Sequence, residues 1–167
     1  NFGTVVITTG RNVTLVDTDA LTLGATTASG LLSVTAGGVL TLSGAVSSAG
    51  TTALTSTAND GGAVTFVQGG QTITSTSGAL TITADDMTLD GTITATGQAV
   101  TLKSNPGGDT IDIGSTAAVT ADRLELSNAE LQTIAAASLT IGTGAAGAVR
   151  FVTADVTPGS GGGADLA

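Results

Sequence analysis

Cysteine, histidine, tryptophan and tyrosine are all missing from this chain, and proline occurs only twice. Without cysteine there is neither a disulfide framework nor a thiolate metal site. Without histidine the commonest general base is gone, so any catalysis would fall to carboxylates, serine and a few bases. Three Phe are the only aromatics, 2% of the residues. They provide no aromatic platform for a sugar and no aromatic girdle for a membrane barrel. Four Lys and Arg stand against thirteen Asp and Glu, a net charge of −9. That balance repels a phosphate backbone, which excludes nucleic acid as a partner, and leaves no polybasic patch for an anionic membrane. Mean hydropathy is +0.43, yet no stretch reaches the roughly 18 unbroken apolar residues of a spanning helix, so no transmembrane segment is expected. The start, Asn1-Phe2-Gly3-Thr4, lacks a basic segment leading into an apolar one. It reads as a mature product or an internal piece whose targeting signal lies elsewhere.

What remains is small and repetitive. Hydrophobic residues make up 41% of the 167 positions, carried by Ala, Val, Leu and Ile, which suit thin β layers better than a globular core. A motif of a small residue or Val, then Leu or Val, Thr and usually another apolar residue recurs. It appears as Ala20-Leu21-Thr22-Leu23, Val39-Leu40-Thr41-Leu42, Ala63-Val64-Thr65-Phe66, Ala79-Leu80-Thr81-Ile82, Ala99-Val100-Thr101-Leu102, Ala118-Val119-Thr120-Ala121 and Ser138-Leu139-Thr140-Ile141. The intervals are 19, 24, 16, 20, 19 and 20 residues, a period near twenty that marks a repeat architecture. A second ladder, Leu32, Leu54, Ile73, Ile93, Ile113, Ile134 and Val152, has the same period. Within each strand apolar residues alternate with Thr or Asp, placing one set inward and the other in water. Turn clusters such as Thr27-Ala28-Ser29-Gly30, Asn59-Asp60-Gly61-Gly62 and Asn105-Pro106-Gly107-Gly108 separate the strands. A helical turn is readable only within Asn128 to Ala137.

A twenty-residue unit cannot bury its own apolar face, so like must stack on like. The expectation is an all-β, right-handed parallel β-helix (β-solenoid) of about eight coils of roughly 20 residues, forming a rod about 40 Å long. It would occupy residues 1–157, with a Gly-rich tail or linker at 158–167. A β-sandwich, with strands every 8 to 12 residues, does not explain the recurrence. One internal match resists the period. Residues 40–66 and 87–113 share apolar positions at an offset of 47, which points either to chance likeness in low-complexity sequence or to a register slip around Asp60 to Ser77.

The stretch Ala84-Asp85-Asp86-Met87-Thr88-Leu89-Asp90-Gly91-Thr92-Ile93, the segment Asp109-Thr110-Ile111-Asp112-Ile113-Gly114, and Leu124-Glu125-Leu126-Ser127-Asn128-Ala129-Glu130-Leu131 resemble repeats of filamentous-haemagglutinin-like bacterial exoproteins. The resemblance spans roughly residues 20–156. It implies a β-helix, export of the two-partner-secretion type, an extracellular or cell-surface location and a part in adhesion. The family's amino-terminal secretion domain is not recognisable.

Candidate chemistry is sparse. Asp85, Asp86 and Asp90 with Lys103 and Arg123 in stacked coils could in principle act as acid and base or take Ca²⁺, but solvated turns explain them more simply. A Ser-Lys pairing at Lys103-Ser104 fails because strand neighbours point to opposite faces. Asn59-Asp60-Gly61-Gly62 resembles a calcium β-roll loop but occurs once, and Asp17 with Asp19 supplies too few oxygens for Ca²⁺. Thr72-Ile73-Thr74 and Thr92-Ile93-Thr94 would place paired Thr on adjacent coils, resembling ice-binding solenoids. The expected neighbours, Ala53 and Thr55 before and Asp112 and Gly114 after, interrupt that row. No catalytic, cofactor or metal residue is therefore assigned, and the chain is read as a non-enzyme. Two classes stay open: a segment of a large surface adhesin or exoprotein, and a self-assembling subunit of a filament, sheath or fibre. In both, the partner is the protein itself or a neighbouring solenoid segment, joined end to end.

Overall fold

The computed structural model describes residues 1–58, 63–66, 70–105, 109–115, 123–142 and 149–151. The strands are β1 (Thr4–Gly10), β2 (Val13–Asp17), β3 (Leu21–Ala28), β4 (Leu32–Ala36), β5 (Leu40–Leu42), β6 (Val46–Ser48), β7 (Thr52–Ser56) and β8 (Ala63–Phe66). They continue as β9 (Thr72–Ser75), β10 (Leu80–Thr83), β11 (Asp86–Leu89), β12 (Thr92–Lys103), β13 (Thr110–Ile113), β14 (Arg123–Leu126), β15 (Ile134–Ile141) and β16 (Val149–Phe151), with one short helix, α1 (Asn128–Gln132), before β15. The fold is all-β, and among the described residues every strand pair is parallel. An eleven-stranded sheet runs out through β1-β3-β6-β9-β12 and back through β10-β7-β4-β2, so that it nearly closes on itself.

Register resolves the strands into three columns. In one, Val13 stands opposite Leu32, Leu32 opposite Thr52, Thr52 opposite Leu80, Leu80 opposite Val100 and Val100 opposite Leu139, at offsets of 19, 20, 28, 20 and 39. In the second, Thr26, Val46, Ile73, Ile93 and Ile134 follow at 20, 27, 20 and 41. The third runs from β1 through the first half of β3 to β5, and later holds the separate sheets β11-β8 and β14-β13-β16. The long strands β3 and β12 each serve two columns. β12 turns its corner at Gly97, whose φ of +79° is open to glycine and costly for other residues.

Alternation decides what is buried. Leu15, Val34, Leu54, Ile82, Leu102 and Ile141 lie one above another, with Val34, Leu54, Ile82 and Leu102 at most 1% exposed. Burying each such side chain is worth about 1.5–3 kcal/mol, and the ladder hydrogen bonds come with it. The inward polar groups find partners at the corners: Thr52 Oγ1 donates to Ser48 Oγ at 2.7 Å, and Ser56 Oγ to the Gly38 carbonyl at 2.8 Å. Corners also stack tightly. A Cβ on Gly78 would overlap the backbone of Gly50 and Thr51, and one on Gly50 would crowd the backbone of Gly30.

Three expectations need correction. The first sequence ladder merges two columns. Leu21 pairs with Leu40, and β5 lies beside β8, whereas Leu80 belongs with Thr52, Val100 and Leu139. The second ladder merges all three: Leu32 and Leu54 lie in the first column at different registers, Ile73, Ile93 and Ile134 share a row of the second, and Ile113 stands opposite Leu126 and Phe151 in the third. Finally, the turn from Val46 to Ile73 is 27 residues long and the next is 20. Their sum equals the offset of 47 in this column, so the register slips in this turn, whereas the same two turns span 48 from Thr52 to Val100 in the first column. The motif Ala118-Val119-Thr120-Ala121, Val152 and the tail from 158 lie outside the described residues. Between Val100 and Leu139, however, no further rung intervenes, because the two pair directly. Among the described residues the column β2-β4-β7-β10-β12-β15 has six rungs, against the eight turns expected. No helix among the described residues is long and apolar enough to cross a membrane.

Candidate functional site

Charge is rare on the paired strands until the chain reaches β11, and then it clusters. On β13, Asp112 points away from Ile111 and Ile113 and stands opposite Glu125 of β14 and Arg150 of β16. Its side chain is 4% exposed. Arg150 grips it with two bonds, Nε to Oδ1 at 2.7 Å and NH2 to Oδ2 at 2.9 Å, and Arg123 NH1 adds a third at 2.7 Å. The Arg150 hydrogen bonds, then those of Arg123, hold the Asp112 carboxyl below the usual aspartate range, against the opposing effect of burial. The group ties three strands together. Beside it, Ser115 Oγ donates to Glu125 Oε1 at 3.1 Å.

The chain order here is not the spatial order. β14 lies beside β11, β13 lies outside β14, and β16 outside β13. The chain reaches the outer position first and then fills the inner one. α1 follows β14 at once, and its start is a capping box: Ser127 Oγ accepts from Glu130 N, while the Glu130 carboxylate accepts from Ser127 N. The other Glu130 oxygen accepts from Leu89 N on β11 at 3.0 Å. The Ser127-x-x-Glu130 spacing was the available sequence signal for this helix start. The helix covers only Asn128–Gln132, and Ala135 belongs to β15.

The structure does not gather the sequence candidates into one constellation. Asp86, on β11, is 5% exposed; its Oδ1 accepts from Met87 N at 2.8 Å, and its Oδ2 accepts nothing. Burial, and then the nearby charges of Glu125 and Glu130, raise its carboxyl above the usual range. Asp85 is buried at the preceding corner, and Asp90 is exposed beyond β11. Lys103 ends β12, and Arg123 is committed to Asp112. Ser104 follows Lys103 and is buried. Asp17 accepts from Phe2 N at 2.6 Å and from Asp19 N at 3.2 Å, while Asp19 accepts from the Asn1 side chain. These two acids fasten the start of the chain to the end of β2. Asn59-Asp60-Gly61-Gly62 lies outside the described residues. Among the described residues no group of three or more His, Cys, Asp or Glu could hold a metal ion.

The threonine pairs stand in the register expected, Thr72 opposite Thr92 and Thr74 opposite Thr94, with 3.1 Å between the Thr72 and Thr92 hydroxyls. Their flanks differ from expectation. Ser47 precedes Thr74, and Ala135 follows Thr94, so neither Thr55 nor Asp112 belongs to that row.

Among the described residues β1, in the first rung, pairs only with β3, and β2 only with β4. Val6 is 59% exposed and Val16 63%, while the inward Val5, Val13 and Leu15 are only partly covered.

No curated protein and no solved structure matches the chain. A family model described as repeats of unknown function (DUF5649) matches residues 10–70, from just before β2 through β8, and over that stretch the chain is similar to those repeats.

Proposed function

We propose that the chain is a stretch of a right-handed parallel β-helix serving as a structural and adhesive element of a large extracellular bacterial surface protein, with no enzymatic role. The observation that carries this reading is the parallel pairing of strands about one turn apart in three columns, at offsets near twenty. A right-handed wind is the form that parallel crossover connections take in nearly all cases. The outward positions are mostly Thr and Ser, which suit a long, hydrated, uncharged surface. The resemblance to filamentous-haemagglutinin-like repeats supports the extracellular setting and adhesion, and the match to repeats of unknown function supports repetition without adding an activity.

A second reading, a subunit that stacks end to end, draws on the uncovered first rung. An edge strand without Lys or Pro and with exposed Val6 and Val16 is poorly protected against pairing. The parent reading frame separates the two. A frame of thousands of residues with many such turns supports the surface-protein reading and sinks the subunit. A short frame ending near Ala167, together with only monomers in electron micrographs of the purified chain, would sink both.

A further inference from the structure

In the third column β5 and β8, and again β11 and β14, lie side by side but belong to different sheets, and the second of these breaks is the charged one. The other two columns cross the same level without a break, through β12 and β15. At this seam side chains replace ladder bonds. Leu89 N, on the strand edge, donates to Glu130 Oε1. Asp86 lies buried on the same strand with Oδ2 unbonded, within reach of the charges of Glu125 on β14 and Glu130 in α1. Asp85 adds an acid at the preceding corner, and β8, on the other side of β11, contains no ionisable residue. Of the cations of the region, Arg123 and Arg150 hold Asp112, while Lys103 ends β12 opposite Thr83, its carbonyl accepting from Ala84 N two residues before Asp86; Asp109 lies ahead of β13.

We propose that the β11–β14 seam is a proton-operated latch, in which ionised Asp86 repels Glu125 and Glu130 across strands that share no ladder, and protonated Asp86 donates to a neighbouring carboxylate and draws β14 and α1 onto β11. The proton comes from solvent, and no covalent bond changes. Burial and like charge raise the Asp86 carboxyl in the folded state above its unfolded value. Its stabilising effect is therefore complete below the unfolded value and is lost as pH rises through the folded one. Mild acidification tightens the seam, the reverse of ordinary acid denaturation.

Amide hydrogen exchange over Met87–Leu89 and Leu124–Leu126, corrected for intrinsic rates, tests the latch at neutral and mildly acid pH. Protection of these amides is expected to rise several-fold on acidification, while that of Leu54 and Ile82 in the continuous column stays level. Asp86→Asn, neutral and still a donor, is expected to give the high protection at both pH values. If Asp86→Asn keeps the wild-type pH response, or if seam protection falls on acidification, the latch is overturned. Should Asp86→Asn fail to fold, Glu125→Gln decides, since it removes one repelling charge from the opposite strand while keeping an acceptor for Ser115. A weakened pH response supports the latch, and an unchanged one overturns it.

Discussion

The column β2-β4-β7-β10-β12-β15 and the group β11-β14-β13-β16 solve the same stacking problem with different materials. In the column, strands follow one another in chain order with a shared register, and outward Thr14, Ser33, Thr81, Thr101 and Thr140 carry no charge. In the group, the order is permuted and the ladder is interrupted once. The equivalent outward positions hold Asp112, Glu125 and Arg150. Where backbone pairing is continuous, side chains need only fit. At the β11–β14 break a carboxylate takes over that task, as Glu130 does for Leu89 N. Charge in this molecule gathers where the strand order is permuted.

The sharpest way to break the regular column is at a corner. Gly78→Val would drive a side chain into the backbone of Gly50 and Thr51, with an expected loss of more than about 3 kcal/mol, read as a fall in the urea midpoint. Leu54→Ala empties a site at the centre of the same column and is expected to cost about 3 kcal/mol in the same assay. In the permuted group, Asp112→Asn removes the charge that binds Arg150 and Arg123. Both guanidinium groups are substantially exposed, 52% and 37%, and remain hydrated when released. The expected cost at neutral pH is therefore only about 1 kcal/mol. Because the Asp112 carboxyl is held low, the wild type keeps this contribution above the unfolded value and loses it as pH falls through the folded one. The variant should lack that acid-limb decline in an unfolding titration. The smallest effect is expected for Thr101→Val, an outward swap in the regular column, within about 0.5 kcal/mol by thermal unfolding. A large loss there would show that the hydroxyls do more than tolerate water.

Alternation was fully legible where an apolar residue flanks each Thr, as in Leu80-Thr81-Ile82, because a period of two assigns the faces without knowledge of neighbours. The assignment to columns was not legible from the motif. Two of the three columns use the same small-Leu-Thr pattern, so Ala63-Val64-Thr65-Phe66 and Ala79-Leu80-Thr81-Ile82 look alike although the first pairs with β11 and the second with β7 and β12. Turn length alone separates them, and the long turn between Val46 and Ile73 was visible only in the offset of 47. The permuted order was hidden for a related reason. Thr110-Ile111-Asp112-Ile113 and Arg123-Leu124-Glu125-Leu126 share one pattern, and nothing local states which will lie against β11. The Asp112 clamp depends on that order, as does the seam at Asp86. Asn105 is a further case. Its side-chain amide caps the Ser56 carbonyl at 2.9 Å from 49 residues away, a contact that only the stack creates.

The permuted order also has a mechanical consequence. A chain whose strands lie across the stack, each bonded to the one before, should peel under tension one turn at a time. Each turn of about twenty residues releases roughly 70 Å of contour at ~3.5 Å per residue. β14 is held between β11 and β13, so drawing it out also removes the support beneath β13. Pulled from its carboxyl end, the molecule should first yield one long extension and only then settle into an even staircase.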